Sequence, residues 1–254
     1  MHDNEVPLKE ITAFLDNRLQ IDKFPGDHSN NGLQAEASKS VRKIVCGVDA
    51  CMELFIRAAS LGAVLVVVHH VLRWGSEPRR LAGVDGEYFA MLFRKNMSLY
   101  ACHLPLDAHP EIGNNALLCR KLPLKSRENF FCYDRAEIRF SGEMTTPVAS
   151  DKMATFFNIP SAKLYGKQCM VNKVAVVSGG AGRSAIIEAA AKGCQMLITG
   201  EMEHVMYHTA NEYGVAVLAL GHYASETFGV NAVTNEAAEK CGLDFEFIDI
   251  PTGL

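Results

Sequence analysis

Short apolar runs rich in β-branched residues alternate along this chain with segments of helical period, and no other feature restricts its fold as tightly. Residues 43–48 (KIVCGV), 63–68 (AVLVVV), 99–102, 174–177, 195–199, 216–220 and 245–248 read as strands. Segments at 52–61, 87–94, near 115–121, 184–191, near 205–213 and about 231–240 carry helical spacing. Pro7 suits the first turn of a further helix reaching position 19. Strand and helix in alternation specify an α/β protein built on mainly parallel sheets. The stretch 123–167 departs from this rhythm. There Glu137, Ile138, Arg139 and Phe140 alternate in character, as in an antiparallel strand, and a helix is expected near 150–157.

The chain also echoes itself. Setting Gly62 over Gly193 places VCGVDACMELFIRAASLGAVLVVVHH over VVSGGAGRSAIIEAAAKGCQMLITGE, so that His69 and His70 fall on Gly200 and Glu201. Each half then has an apolar strand followed by a histidine and, four residues later, an acid: His103 with Asp107 in ACHLPLD, His222 with Glu226 in LGHYASE. The organisation expected is two related α/β lobes, 1–124 and 125–254, with a metal site between them.

In open α/β sheets, ligands gather beyond the carboxyl ends of the strands. Three strands run there into His69-His70, into His103 and Asp107, and into His222 and Glu226. Six metal-ligating side chains thus leave comparable strand ends. The paired imidazoles are read as lying past their strand, where the rule that neighbours point to opposite faces lapses. Imidazole and carboxylate without thiolate suit Zn, Fe, Mn, Co or Ni, and the spacing does not choose among them.

Other stretches say less. GGAGR (179–183) joins a strand to a helix, as an anion-binding turn or simply a tight one. TGEMEH (199–204) places Glu201 and His204 after a strand, as groups supporting the ligands or as the acidic first turn of a helix. SNNGLQ (29–34) has the chemistry of a loop. Trp74 is a stacking surface for a planar substrate or an aromatic lid. Neither a G-x-S-x-G elbow nor a Cys-His nucleophile pattern occurs.

Taken together, SNNGLQ, VVVHHVLRWG, ACHLPLD, TGEMEH and GHYASETFGV resemble, in order, the motifs of the Nif-three-like family, whose members are often labelled GTP cyclohydrolase 1 type 2 homologues. The resemblance implies the Nif-three-like fold and a site for two divalent ions ligated by His69, His70, Asp107, His222 and Glu226, with His103 as a near neighbour. It also implies a toroidal homohexamer, a trimer of dimers. Two positions differ from the family pattern: Val71 follows the paired histidines where proline is usual, and Leu104-Pro105-Leu106 stands where threonine, asparagine and leucine are common.

Those expectations describe a metal-dependent hydrolase acting on a small molecule, with nucleotides the first class to try. Under the family label, water attacks guanine C8 of GTP and formate leaves, with His103 and Glu201 moving protons. A non-catalytic metal-binding or regulatory protein, such as a metallochaperone-like ring, answers to the same residues. A ring encircling nucleic acid is a weaker rival. The net charge of −4 disfavours it unless Arg73, Arg79 and Arg80 line the hole. Eight cysteines without any C-x-x-C pair read as reduced thiols of a cytoplasmic protein. The opening MHDNEVPLKE lacks the pattern of a secretory signal, and no apolar run approaches the ~20 residues of a membrane span.

Overall fold

The computed structural model describes residues 4–75, 80–133 and 136–254, the side chains of 131–133 and 136–139 excepted. Arg79 and the side chains of Cys132, Glu137, Ile138 and Arg139 lie outside the described residues. In chain order the elements begin with β1 (Val6–Pro7), α1 (Leu8–Leu19), β2 (Gly32–Ala35), β3 (Ser40–Val41), β4 (Lys43–Asp49), α2 (Met52–Ser60) and β5 (Leu65–His70). Next come α3 (Val84–Arg94), β6 (Ser98–Ala101), α4 (Leu104–Ala108), α5 (Asn114–Arg120), β7 (Glu128–Tyr133), β8 (Ala136–Ala149), β9 (Lys163–Tyr165) and β10 (Met170–Val177). The chain closes with α6 (Gly182–Ala191), β11 (Met196–Thr199), α7 (His204–Tyr213), β12 (Ala216–Ala219), α8 (His222–Cys241) and β13 (Asp244–Phe247). It forms two compact units, Met1–Leu106 with Gly229–Ile250, and Asp107–Phe228 with Pro251–Leu254.

The first unit carries a five-stranded sheet in the order β13-β4-β5-β6-β2, parallel throughout except for β2 at its edge. All but the end residues of β4, and all of β5 except His70, are buried, the pattern of central strands covered on both faces. Leu54, Phe55 and Ala58 of α2 and Leu92 of α3 pack on Val45, Val66, Val68 and Leu99. Each large side chain of this kind contributes about 1.5–3 kcal/mol on leaving water. Helix α1 buries Leu8, Ile11, Leu15 and Leu19, spaced to share one face.

Three sequence expectations change here. Gly32–Ala35, read as loop, is an edge strand antiparallel to β6. His69 and His70 lie on β5, not beyond it, because the ladder continues to the pairing of Asp49 with His70 and Ala50 N–H donates to His70 C=O at 3.2 Å. Alternation therefore applies, and His69 is fully buried while His70 is only partly so. Pro7 precedes the first helix and pairs with Ser40 instead of entering the first turn.

The second unit has a six-stranded mixed sheet, β7-β8-β10-β11-β12-β9. Its β10, β11 and β12 are parallel, and β7, β8 and β9 are antiparallel additions. Val174, Val176, Met196, Ile198, Ala216 and Leu218 face one apolar cluster, shared with α5. Ala175, Val177, Leu197 and Val217 face another, covered by α6 and α7. This is strand periodicity in three neighbouring strands at once. The helix expected near 150–157 is a 3₁₀ helix, Ser150–Phe156, one short piece between two strands. The last helix is longer than expected, beginning at His222 and running through Gly229, so His222 and Glu226 are neighbours one helical turn apart.

The self-similarity has a physical basis. Gly62 and Gly193 close α2 and α6, each with φ +72°, in open space, shortly before a parallel strand. A left-handed residue ends a helix at little cost only when it lacks a Cβ. Among the described residues, no helix is long and apolar enough to cross a membrane, and no disulfide forms. Burial pushes the thiols of Cys46 and Cys119 up to about 12, which keeps them inert.

Candidate metal centre

In the first unit, β5 delivers His69 and His70, and the turn that follows β6 delivers His103. The candidate ligand atoms of these three side chains lie within 4.8 Å of one another. Ring centroids are separated by 4.8 Å (His69–His70), 5.1 Å (His69–His103) and 5.9 Å (His70–His103).

What sits behind each ring decides what its other nitrogen can do. His69 Nδ1 donates to the Cys102 carbonyl at 3.0 Å. His70 Nδ1 meets Asp49 Oδ1 at 2.6 Å, and His103 Nδ1 meets Asp27 Oδ1 at 3.2 Å. Carbonyls and carboxylates only accept, so in each neutral imidazole the proton is on Nδ1 and Nε2 keeps the lone pair a cation requires.

Asp27 is the hub of this support. Burial by itself would raise its pKa, but hydrogen bonds from His103, Asn31 and Ser29 prevail and hold it well below the usual carboxylate range. Its Oδ2 accepts from Asn31 Nδ2 at 2.9 Å and from Leu104 N at 3.0 Å. Asn31 Oδ1 in turn accepts from His103 N at 2.8 Å. The SNNGLQ stretch is therefore a clamp on His103.

In the second unit, Asp107 of α4 and Glu226 of α8 are 6% and 3% exposed, and their candidate ligand oxygens lie within 4.8 Å of each other. Asp107 Oδ1 accepts from Asn114 Nδ2 at 2.8 Å and from Ser178 Oγ at 3.1 Å. Asn115 ties down the same segment, donating to Asp107 C=O at 3.2 Å and accepting from Ser178 N at 2.6 Å. His222 Nε2 stands 3.2 Å from Glu226 Oε2, and its Nδ1 is 2.5 Å from Glu201 Oε1.

The same logic thus recurs in both units: an acceptor lies behind Nδ1, and Nε2 is the candidate ligand atom. Were both carboxyl groups ionised at this separation, they would repel by roughly 3 kcal/mol at an effective dielectric of about 20. A divalent cation removes that conflict, so the donor set fits a metal.

GGAGR makes room for this. A Cβ on Gly179 would lie 2.2 Å from Glu226 Oε1 and 3.1 Å from His222 Nε2. Gly200, which the internal repeat sets against His69, is hemmed in likewise: a Cβ there would lie 2.9 Å from His222 Cα. The two units are consequently not alike in chemistry, one presenting candidate ligands from a strand and the other from helices.

Of the sequence candidates, His69, His70 and His103 meet in the first unit, and Asp107, Glu201, His222 and Glu226 meet in the second. His204 starts α7, exposed to solvent. Sequence reading missed Asp27, Asn31, Asp49, Asn114, Asn115 and Ser178. A signal existed for Asp49, which ends GVD as His70 ends VHH on the adjacent strand.

Residues 6–252 match the family described as Duf34/NIF3 (NGG1p interacting factor 3). The chain belongs to this family. It is 43% identical over 247 residues to the "GTP cyclohydrolase 1 type 2 homolog" of Archaeoglobus fulgidus, covering 97% of this chain and 99% of that one. Among solved structures it is similar to protein ybgI, described as of unknown function, at 33% identity with a TM-score of 0.87 over 98% of this chain and 100% of the other. A Thermus thermophilus protein is similar at 31% identity and a TM-score of 0.80, covering 98% of this chain and 100% of that one. Membership in Duf34/NIF3 bears out the resemblance drawn from the five motifs, and the α/β fold with it.

Proposed function

We propose that this chain binds two divalent metal ions through His69, His70, Asp107, His222 and Glu226 and hydrolyses a small nucleotide substrate with them. The observation that carries this reading is the adjacency of the buried Asp107 and Glu226 carboxylates, supported by acceptors behind the Nδ1 atoms of His69, His70 and His222. The printed name of the Archaeoglobus relative, GTP cyclohydrolase 1 type 2 homolog, points to GTP. In the proposed reaction two waters add in turn at guanine C8, breaking C8–N9 and then C8–N7, and C8 leaves as formate.

Divalent ions, when bound, supply the Lewis acidity that lets water act as a nucleophile near neutral pH. The chain's own groups do the rest. Asp49 and Glu201 fix the rings of His70 and His222 by holding Nδ1. Asn114 and Ser178 hold Asp107 in place. His103, backed by the buried Asp27, and Glu201, partly exposed, are the groups assigned to proton transfer. Assembly into a homohexamer, a trimer of dimers, belongs to the same proposal, as does a cytoplasmic setting.

The test is to incubate tag-free, metal-loaded protein with GTP and assay formate, beside a panel of phosphoesters and cyclic amides. Turnover abolished in His70→Ala is the expected result. Stoichiometric metal without turnover on any substrate supports instead the non-catalytic metal-binding reading. Light scattering on the same sample reads the hexamer, which would have about six times the 27.8 kDa chain mass.

A further inference from the structure

Trp74 is the single tryptophan of the chain, and it is 40% exposed. Its indole packs edge to face with His103, centroids 4.9 Å apart and planes at 84°, and lies 6.2 Å from His70. An aromatic face open to solvent beside a cluster of imidazoles offers a planar ligand a surface to stack on.

Its placement is built rather than incidental. Ser29 and Trp74 form an isolated antiparallel bridge. Gly75 N–H donates to His28 C=O at 2.5 Å, and Leu72 N–H to Gln34 Oε1 at 3.3 Å. Gln34 Nε2 is itself tied to Asn30 C=O at 2.7 Å. The loop that clamps His103 through Asn31 therefore also fixes the segment bearing the indole. One short stretch sets the distance between an aromatic surface and the His103 imidazole.

We propose that Trp74 is the stacking platform for the planar base of the substrate, so that the site favours planar heterocycles over aliphatic amides and simple phosphoesters. This rests on the hydrolase reading above and names the side chain that holds the substrate's base. Aromatic side chains stack on bases of any sequence because each base has a π face, and removing one such platform weakens binding on the order of ten-fold.

The experiment uses the full chain, with metal content measured on every sample. Emission of Trp74 is followed while guanosine, GTP or inorganic tripolyphosphate is added. Quenching by guanosine and GTP but not by tripolyphosphate is expected. By equilibrium dialysis, Trp74→Ala should bind guanosine about ten-fold more weakly, and Trp74→Phe should restore most of that loss. Where GTP turns over, KM should rise in Trp74→Ala far more than kcat falls. Circular dichroism checks that both variants fold, and the phenylalanine variant keeps an aromatic ring against His103. Metal-replete protein whose emission ignores guanosine, or a Trp74→Ala variant that binds guanosine as well as the parent, overturns the platform. Protein that takes up no metal but is still quenched by guanosine overturns the hydrolase reading and leaves the platform standing.

Discussion

Asp49 and His70 face each other across the β4–β5 ladder, with Oδ1 and Nδ1 2.6 Å apart. The carboxylate fixes the tautomer and rotation of the ring, which sets Nε2 as the donor atom in the proposed metal site. Asp49→Ala is expected to weaken divalent metal binding about 10- to 100-fold, read by competition with a chromogenic chelator. The fold should survive, since Asp49 sits partly exposed at a strand end.

Glu226 occupies the space in front of Gly179, and Gly179 adopts φ +59°. Gly179→Ala therefore meets both a clash and a left-handed backbone, and should cost at least about 2 kcal/mol in urea unfolding. It should also lower metal content. Gly62→Ala is the control: the same backbone region, φ +72°, with open space around it. That variant should lose about 1 kcal/mol and keep its metal.

Asp107 and Glu226 bring two carboxyl groups together in a buried place. Chelation should accordingly lower the melting temperature. At a free metal concentration about one hundred times Kd, binding stabilises by about 2.7 kcal/mol, and a chain of this size shifts by roughly 2–4 °C per kcal/mol. Differential scanning fluorimetry with and without chelator should therefore show a drop of roughly 5–10 °C, which Glu226→Gln should shrink.

Asp16 of α1 lies apart from the histidines, accepting from the hydroxyl of the buried Tyr100 at 2.8 Å. Burial raises its pKa, the Tyr100 hydrogen bond lowers it in part, and Asp22 adds to the rise. The folded state thus binds its proton more tightly than the unfolded chain does. Stability is lost as pH climbs from the unfolded value through the folded one. Asp16→Asn should be more stable than the parent at neutral pH, and the advantage should vanish below about pH 4. Urea midpoints measured from about pH 3 to pH 7 read this directly.

The fold was legible because its signals are local. Three-valine runs, the helical spacing of Leu54, Phe55 and Ala58, and the matched Gly62 and Gly193 each act within a few residues. The errors have physical causes too. His70 stays in the ladder because Asp49 and Ala50 on the next strand hold it there, a partner that no reading of 65–75 contains. Gly229 sits inside α8, where a helix of this length absorbs the roughly 1 kcal/mol a glycine costs relative to alanine. At the candidate centre, imidazoles and acids stood out by type, whereas Asp27, Asn31, Asn114 and Ser178 gain their roles only from distant contacts.

Elemental analysis of tag-free protein, dialysed after exposure to divalent metals, tests the centre most directly. Two ions per chain are expected, with a loss of at least one in His70→Ala and in Glu226→Gln. A folded parent that retains no divalent metal under these conditions contradicts the assignment of His69, His70, Asp107, His222 and Glu226 as ligands.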